Sequence, residues 1–344
     1  DKARAYLGKP VDMANVEKIR QLMTEGKSDQ TIYWHTLTAV TARAAFTGRW
    51  SDLLAWKQLA SRLSREMGKI YWFECWISHS YLYGAIFHGE HSQLENHIER
   101  VRASPDPYQV RLSWLFRGML HLIRGDYSQA EQNLSRFLRM EKENPDNSYL
   151  EGFVHLGRTC IASGATDKAE KYITEGARLA GAGPYENPFY QLQFMQLNAE
   201  LDMVLGNYRS AETYLAESLE LAQALDNPIQ TGFSRKLWGR LCIEKKCFKD
   251  AELHLTLARD IFLSIENKYQ AGQVVAILES FTQRKDVQWK KENDTAELSR
   301  TTIEGDDPGV TETEVADTRT ETEEVFLTTR TEIEEDGLDK TEID

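Results

Sequence analysis

No run of about 18 apolar residues occurs anywhere in the 344-residue chain, so no segment of it reads as a membrane-spanning helix. The N-terminus has no charged-then-apolar leader. It begins at Asp1 rather than Met, as expected of a fragment of something larger. Cysteine is scarce: Cys75, Cys160, Cys242 and Cys247 fit neither a zinc ribbon nor a Cys-x-x-Cys redox pair. They are expected to be free, buried, small hydrophobes in a reducing compartment, which makes the cytoplasm the expected location. A basic surplus is missing as well. Asp and Glu number 54 against 41 Lys and Arg, a formal net charge of −13. Residues 295–344 hold 17 acidic and 4 basic residues, leaving 37 of each sign in the preceding 294. A neutral body with a polyanionic tail lacks the cationic surface that phosphate binding needs, so no nucleic-acid partner is expected.

Catalytic signatures are absent too. There is no Gly-x-Ser-x-Gly elbow, no His-Glu-x-x-His and no kinase motif. Gly26-Lys27-Ser28 ends like a phosphate-binding loop, but Gln21 stands where its first glycine belongs. His88, His91 and His97 cluster near a helix end, yet they straddle a turn and are expected to be surface or cap residues rather than metal ligands. No cofactor, metal or small-molecule ligand is expected, and no catalytic residue within this chain.

What is present is a repeat. A glycine, a polar residue, an aromatic, two polar residues and a small or aliphatic residue recur. Gly125-Asp126-Tyr127-Ser128-Gln129-Ala130 is the clearest copy, and those at Gly206 and Gly48 follow it closely. Weaker copies start at Gly89, Gly164 and Lys246, so successive starts lie 41, 36, 39, 42 and 40 residues apart. The glycine supplies the positive φ that ends one helix, and the polar residue opens the next. The aromatic is expected to anchor the new helix, and the alanine to let the two helices approach closely. Apolar stretches with helical period flank each turn, and prolines fall in or beside the connectors (Pro105, Pro107, Pro145, Pro184, Pro188 and Pro228). No segment alternates apolar and polar residues as a strand does.

This pattern resembles the tetratricopeptide (TPR) repeat. The third copy carries Trp114 and Gly118 in the family's large and small positions, followed by Gly125, Tyr127 and Ala130; Leu156-Gly157 and Ala169, and Gly239 and Ala251, fit the fourth and sixth copies. The resemblance implies an all-α, right-handed superhelical solenoid of about six helix hairpins over residues 29–282. The period exceeds the family's usual one, as in arrays C-terminal to the ATPase module of STAND signalling proteins and class III adenylate cyclases. Residues 1–28 read as an N-terminal helix from a truncated repeat, and 283–294 as a basic linker. The Thr- and Glu-rich stretch 295–344 reads as a disordered acidic tail.

The resemblance also implies function: a scaffold or regulatory module that binds a peptide or protein domain in its concave groove. The alternative is the non-catalytic remainder of an enzyme such as a cyclase. Ligand contacts in such arrays come mainly from the first helix of each hairpin. There the faces are Leu115 and Met119, His155 and Arg158, Gln196 and Glu200, and Lys236 and Arg240. The asparagines of a chaperone-tail clamp are missing, so that ligand is not expected. The aromatic run Tyr71, Trp72, Phe73, Trp76, Tyr81, Tyr83 and Phe87 divides between core and groove. The candidate partner-binding residues are therefore Tyr71, Trp72, Trp76, Arg158, Gln196, Lys236 and Arg240. In the tail, Thr311, Thr320 and Thr331 each precede an acid by three residues and are candidate phosphorylation sites.

Overall fold

The computed structural model describes residues 30–67, 71–91, 94–142, 148–182 and 186–282, with isolated positions 18, 21 and 25. Apart from those three positions the expected N-terminal helix lies outside these residues, as do the basic linker, the acidic tail and Thr311, Thr320 and Thr331. So do the side chains of Cys75 and of Tyr71, Trp72 and Trp76 at the start of one helix.

Among the described residues twelve helices pair into six hairpins: α1 (Gln30–Thr47) with α2 (Trp50–Met67), α3 (Tyr71–His88) with α4 (Leu94–Arg102), and α5 (Pro107–Ile123) with α6 (Tyr127–Glu141). Next come α7 (Ser148–Ala162) with α8 (Thr166–Ala180), α9 (Pro188–Leu205) with α10 (Tyr208–Ala224), and α11 (Pro228–Glu244) with α12 (Phe248–Ser264). A further helix, α13, covers residues 268–282. The described residues contain no strand, and none of their helices is long and apolar enough to cross a membrane. The chain is thus the all-α hairpin solenoid that its repeats predict.

All six repeat starts fall on the hairpin turns. At Gly125 the chain enters the left-handed region (φ 77°), its N–H bonds Leu122 O and the next N–H bonds His121 O. These two bonds satisfy carbonyls that a helix end would leave bare. Lys246 adopts the same conformation (φ 62°) without being glycine. Three first helices start on proline behind a capping side chain: Asp106 before Pro107, Asn187 before Pro188, Asn227 before Pro228.

Within a hairpin the small positions permit close contact. A Cβ on Gly118 would lie 2.5 Å from Leu134 and 3.3 Å from the Ala130 carbonyl, and Ala130 is fully buried. Two expectations fail here. Tyr127 is 36% exposed, although its counterparts Trp50, Tyr208 and Phe248 pack against the core as the motif predicts. Cys247 is exposed at the cap of α12, while Cys160 and Cys242 are buried; all three are free.

A repeat array buries its core between neighbours, and one continuous cluster does run from α1 to α9. The chain also closes on itself. Asn227, in the connector before α11, donates from Nδ2 to the Phe46 carbonyl at the end of α1 (3.1 Å). One repeat later, Asn267 and Gln270 donate to the Phe87 carbonyl near the end of α3 (3.3 and 3.4 Å). Arg43 pairs with Asp226 at 3.1 Å, and Ser51 bonds Glu266. Phe87 packs against both the main core and the cluster around Ile229 and Phe262. Gly48 and Gly89 sit at this seam: added Cβ atoms would meet Ile229 and Ile265 at 2.9 Å and Tyr269 at 2.6 Å.

Candidate functional site

The first helices of successive hairpins turn the same face inward. His155 and Arg158 on α7, Gln193, Gln196 and Glu200 on α9, and Phe233, Lys236 and Arg240 on α11 are spaced three or four apart, which stacks each set on one side of its helix. Together they line a cavity of about 230 Å³ that the seam completes, with Ile86 and Phe87 of α3 on one wall and Tyr269, Gln270 and Gln273 of α13 on another. Met119 and Ile123 of α5 extend its apolar side. Leu115 does not reach it, being fully buried in the core.

Glu200 lies between two guanidiniums, 3.8 Å from Arg158 Nε and 3.6 Å from Arg240 Nη1, beyond hydrogen-bond reach of either. Lys236 donates from Nζ to Gln273 Oε1 (2.8 Å) and Gln270 Oε1 (3.5 Å). Burial, reinforced by the neighbouring Arg240 charge and partly offset by Glu200, pushes the Lys236 ammonium down to about 8. Burial and then the Arg158 charge push His155 down to about 3, so it is a neutral imidazole at physiological pH. Gln196 donates to the Gln230 carbonyl (3.2 Å) and to Ser234 Oγ (3.0 Å), bracing α9 against α11. Gln193 Nε2 and Gln230 Oε1 are buried without a hydrogen-bond partner. Such atoms cost about 1–3 kcal/mol each while they stay unmatched.

Four of the sequence-derived candidates, Arg158, Gln196, Lys236 and Arg240, thus converge on one pocket, Gln196 as a brace rather than a free contact. Of the aromatic run, Tyr83 is core, Tyr81 lies beneath the Lys57 ammonium at 3.0 Å, and Phe87 reaches the pocket. Sequence reasoning missed Gln193, Gln230, Gln270 and Gln273; the three-residue spacing from Gln196 could have found Gln193, whereas nothing local marks Gln230, Gln270 and Gln273 as facing the same cavity. The three histidines do not converge. His88 bonds the Gly48 carbonyl (3.0 Å), His91 bonds the Ile86 carbonyl (3.2 Å), and His97 is half-buried against Tyr81. Among the described residues no group of three side chains is placed to hold a metal ion.

No protein-family model matches this sequence, nor does any curated protein sequence. Among solved structures, a Rap protein in complex with competence and sporulation factor superposes with a TM-score of 0.58 at 16% identity, over 81% of this chain and 74% of that one. The apo form of RapI (TM-score 0.47, 15% identity, 72% of each chain) is more distant. So is BtubC (BKLC) from P. vanneervenii, with a TM-score of 0.40 at 17% identity over 68% of this chain and 97% of that one. The first likeness is one of fold: a TPR-like solenoid of helical repeats.

Proposed function

We propose that this chain is a protein-interaction module that takes a short peptide, or an extended segment of a protein, into the pocket ringed by α3, α5, α7, α9, α11 and α13. The observation that carries this reading is the convergence of five first helices, α3, α5, α7, α9 and α11, on one cavity with an apolar wall and a polar, charged wall. Sites that combine apolar area with a few placed polar groups are where ligands bind, and this one is too narrow for a folded domain. That a Rap protein of the same fold holds competence and sporulation factor in its crystal supports a factor-binding role for the array. In this reading the module is cytosolic and regulatory, its occupant acting on a domain joined to it or recruited by it. The resemblance to arrays in STAND proteins and class III cyclases implies such an arrangement, and the upstream sequence of the parent gene checks it.

A photo-crosslinking amino acid at Ile123, which lines the pocket, is compared with one at Leu253, which is exposed elsewhere. Each variant is irradiated with a random hexapeptide library. Peptides attached at position 123 and not at 253 are the expected result; equal labelling at both, or none, overturns the reading.

A further inference from the structure

Two features of the pocket go beyond peptide binding as such. The first is charge. Arg158, Lys236 and Arg240 face one carboxylate, Glu200, which hydrogen-bonds neither arginine. With Lys236 protonated the wall carries a surplus of two positive charges, partly buried and weakly screened. The second is the unmatched pair of amide atoms. Gln193 and Gln230 are each only 3% exposed, line the same cavity, and leave one donor and one acceptor unused. The remaining glutamines are committed, Gln196 to Gln230 O and Ser234, and Gln270 and Gln273 to Lys236. A peptide backbone offers what each atom lacks, a carbonyl to accept from Gln193 Nε2 and an N–H to donate to Gln230 Oε1. The cavity of about 230 Å³ opens to solvent, so the occupant can insert a residue or two there while the rest of its chain runs outside.

We propose, on the premise that the pocket binds peptides, that it selects an acidic one: a carboxylate set among Arg158, Lys236 and Arg240, beside a peptide backbone bonded by Gln193 and Gln230. Glu200 then acts as a tuning residue, holding the two guanidiniums apart while leaving their N–H groups free for the incoming anion. Charge-assisted bonds to a carboxylate are the stronger kind available to these side chains. The carboxylate comes either from a peptide's C-terminus or from an Asp or Glu side chain, and both present the same two oxygens.

The test uses the random hexapeptide library in two forms, one with a free C-terminal acid and one with a C-terminal amide. Peptides captured by the full chain are sequenced by mass spectrometry. Enrichment of the free-acid form alone identifies the C-terminus; enrichment of Asp and Glu in both forms identifies a side chain; either outcome supports the proposal. Lys236→Met is expected to lower the acidic enrichment about tenfold or more, the worth of one charged hydrogen bond, while still capturing peptides. Glu200→Gln is expected to raise it. Gln193→Leu with Gln230→Leu is expected to weaken capture of all peptides, whatever their charge. Circular dichroism and melting confirm that each variant is folded, and Glu200→Gln keeps the charge test independent of Lys236. Capture without charge preference, or a preference for Lys and Arg, overturns the acidic selection and leaves peptide binding standing. No capture of any peptide overturns both.

Discussion

Ala130 is fully buried beneath Gly118 and Leu134, whereas Tyr127, three residues earlier in the same motif, is exposed. The motif positions therefore carry unequal weight. Ala130→Glu is expected to lower stability by about 3 kcal/mol or more, because a carboxylate there has no room and no partner. Tyr127→Ala is expected to stay within about 0.5 kcal/mol, as surface changes do. Urea unfolding of the two variants measures both; a neutral Ala130→Glu would refute the hairpin packing described here. His155 sets a second expectation. Its folded form titrates near 3, while the unfolded chain takes up that proton near 6.5. Between these values the unfolded state binds more protons, so stability falls as pH falls, by up to about 1.4 kcal/mol per pH unit from this group. His97, lowered to about 4 by burial and by the Lys57 and Arg100 charges, adds to the decline. His155→Gln is expected to make the dependence of the urea midpoint on pH shallower between pH 6.5 and 4, without flattening it.

Each hairpin turn repeats one pair of backbone bonds, yet the residues in the left-handed position differ. Nothing lies within 4 Å of a Cβ placed on Gly125, so Gly125→Ala tests the backbone alone and is expected to cost about 1–2 kcal/mol. Lys246 is exposed and already bears that strain (φ 62°). Lys246→Gly is therefore expected to stabilise the chain by about 0.5–1 kcal/mol, the relief of strain exceeding the entropy that glycine adds to the unfolded state. Thermal melts of both variants, shifting in opposite directions, check the assignment. At Gly89 the same substitution to alanine carries a further penalty, since the new methyl would strike the Tyr269 ring.

Closure makes this array more than a sum of neighbouring hairpins. Asn267 both caps α13, accepting from the Gln270 N–H at 3.0 Å, and bonds the Phe87 carbonyl across the seam. Asn267→Ala is expected to cost about 1–2 kcal/mol for the lost cap and cross-seam bond together. Hydrogen exchange locates the effect: faster exchange at the end of α3 and the start of α13, with α7 and α8 unchanged. If protection falls evenly along the chain, the seam is not a separate unit of stability. The pocket spans the seam, with Phe87, Gln270 and Lys236 lining it, so a ligand bound there is expected to slow opening of the seam.

The repeat starts, the turn conformations and the close approach at Gly118 and Ala130 were readable from the chain because each obeys a local rule: positive φ ends a helix, and a small residue on each side of the turn lets the two helices approach. The inward face was readable for the same reason, since spacing along a first helix places His155 with Arg158 and Lys236 with Arg240. Tyr127 and Cys247 escaped this logic, because which side of a hairpin meets its neighbour depends on the packing angle and not on the motif. The closure escaped it too. Asn227 and Phe46 are 181 residues apart, and Asn267 and Phe87 are 180 apart. No periodicity in either segment encodes a partner on the other. The curvature accumulated over six hairpins brings those segments together, and only then do Gln193, Gln230, Gln270 and Gln273, ordinary glutamines on three helices, become the walls of one pocket.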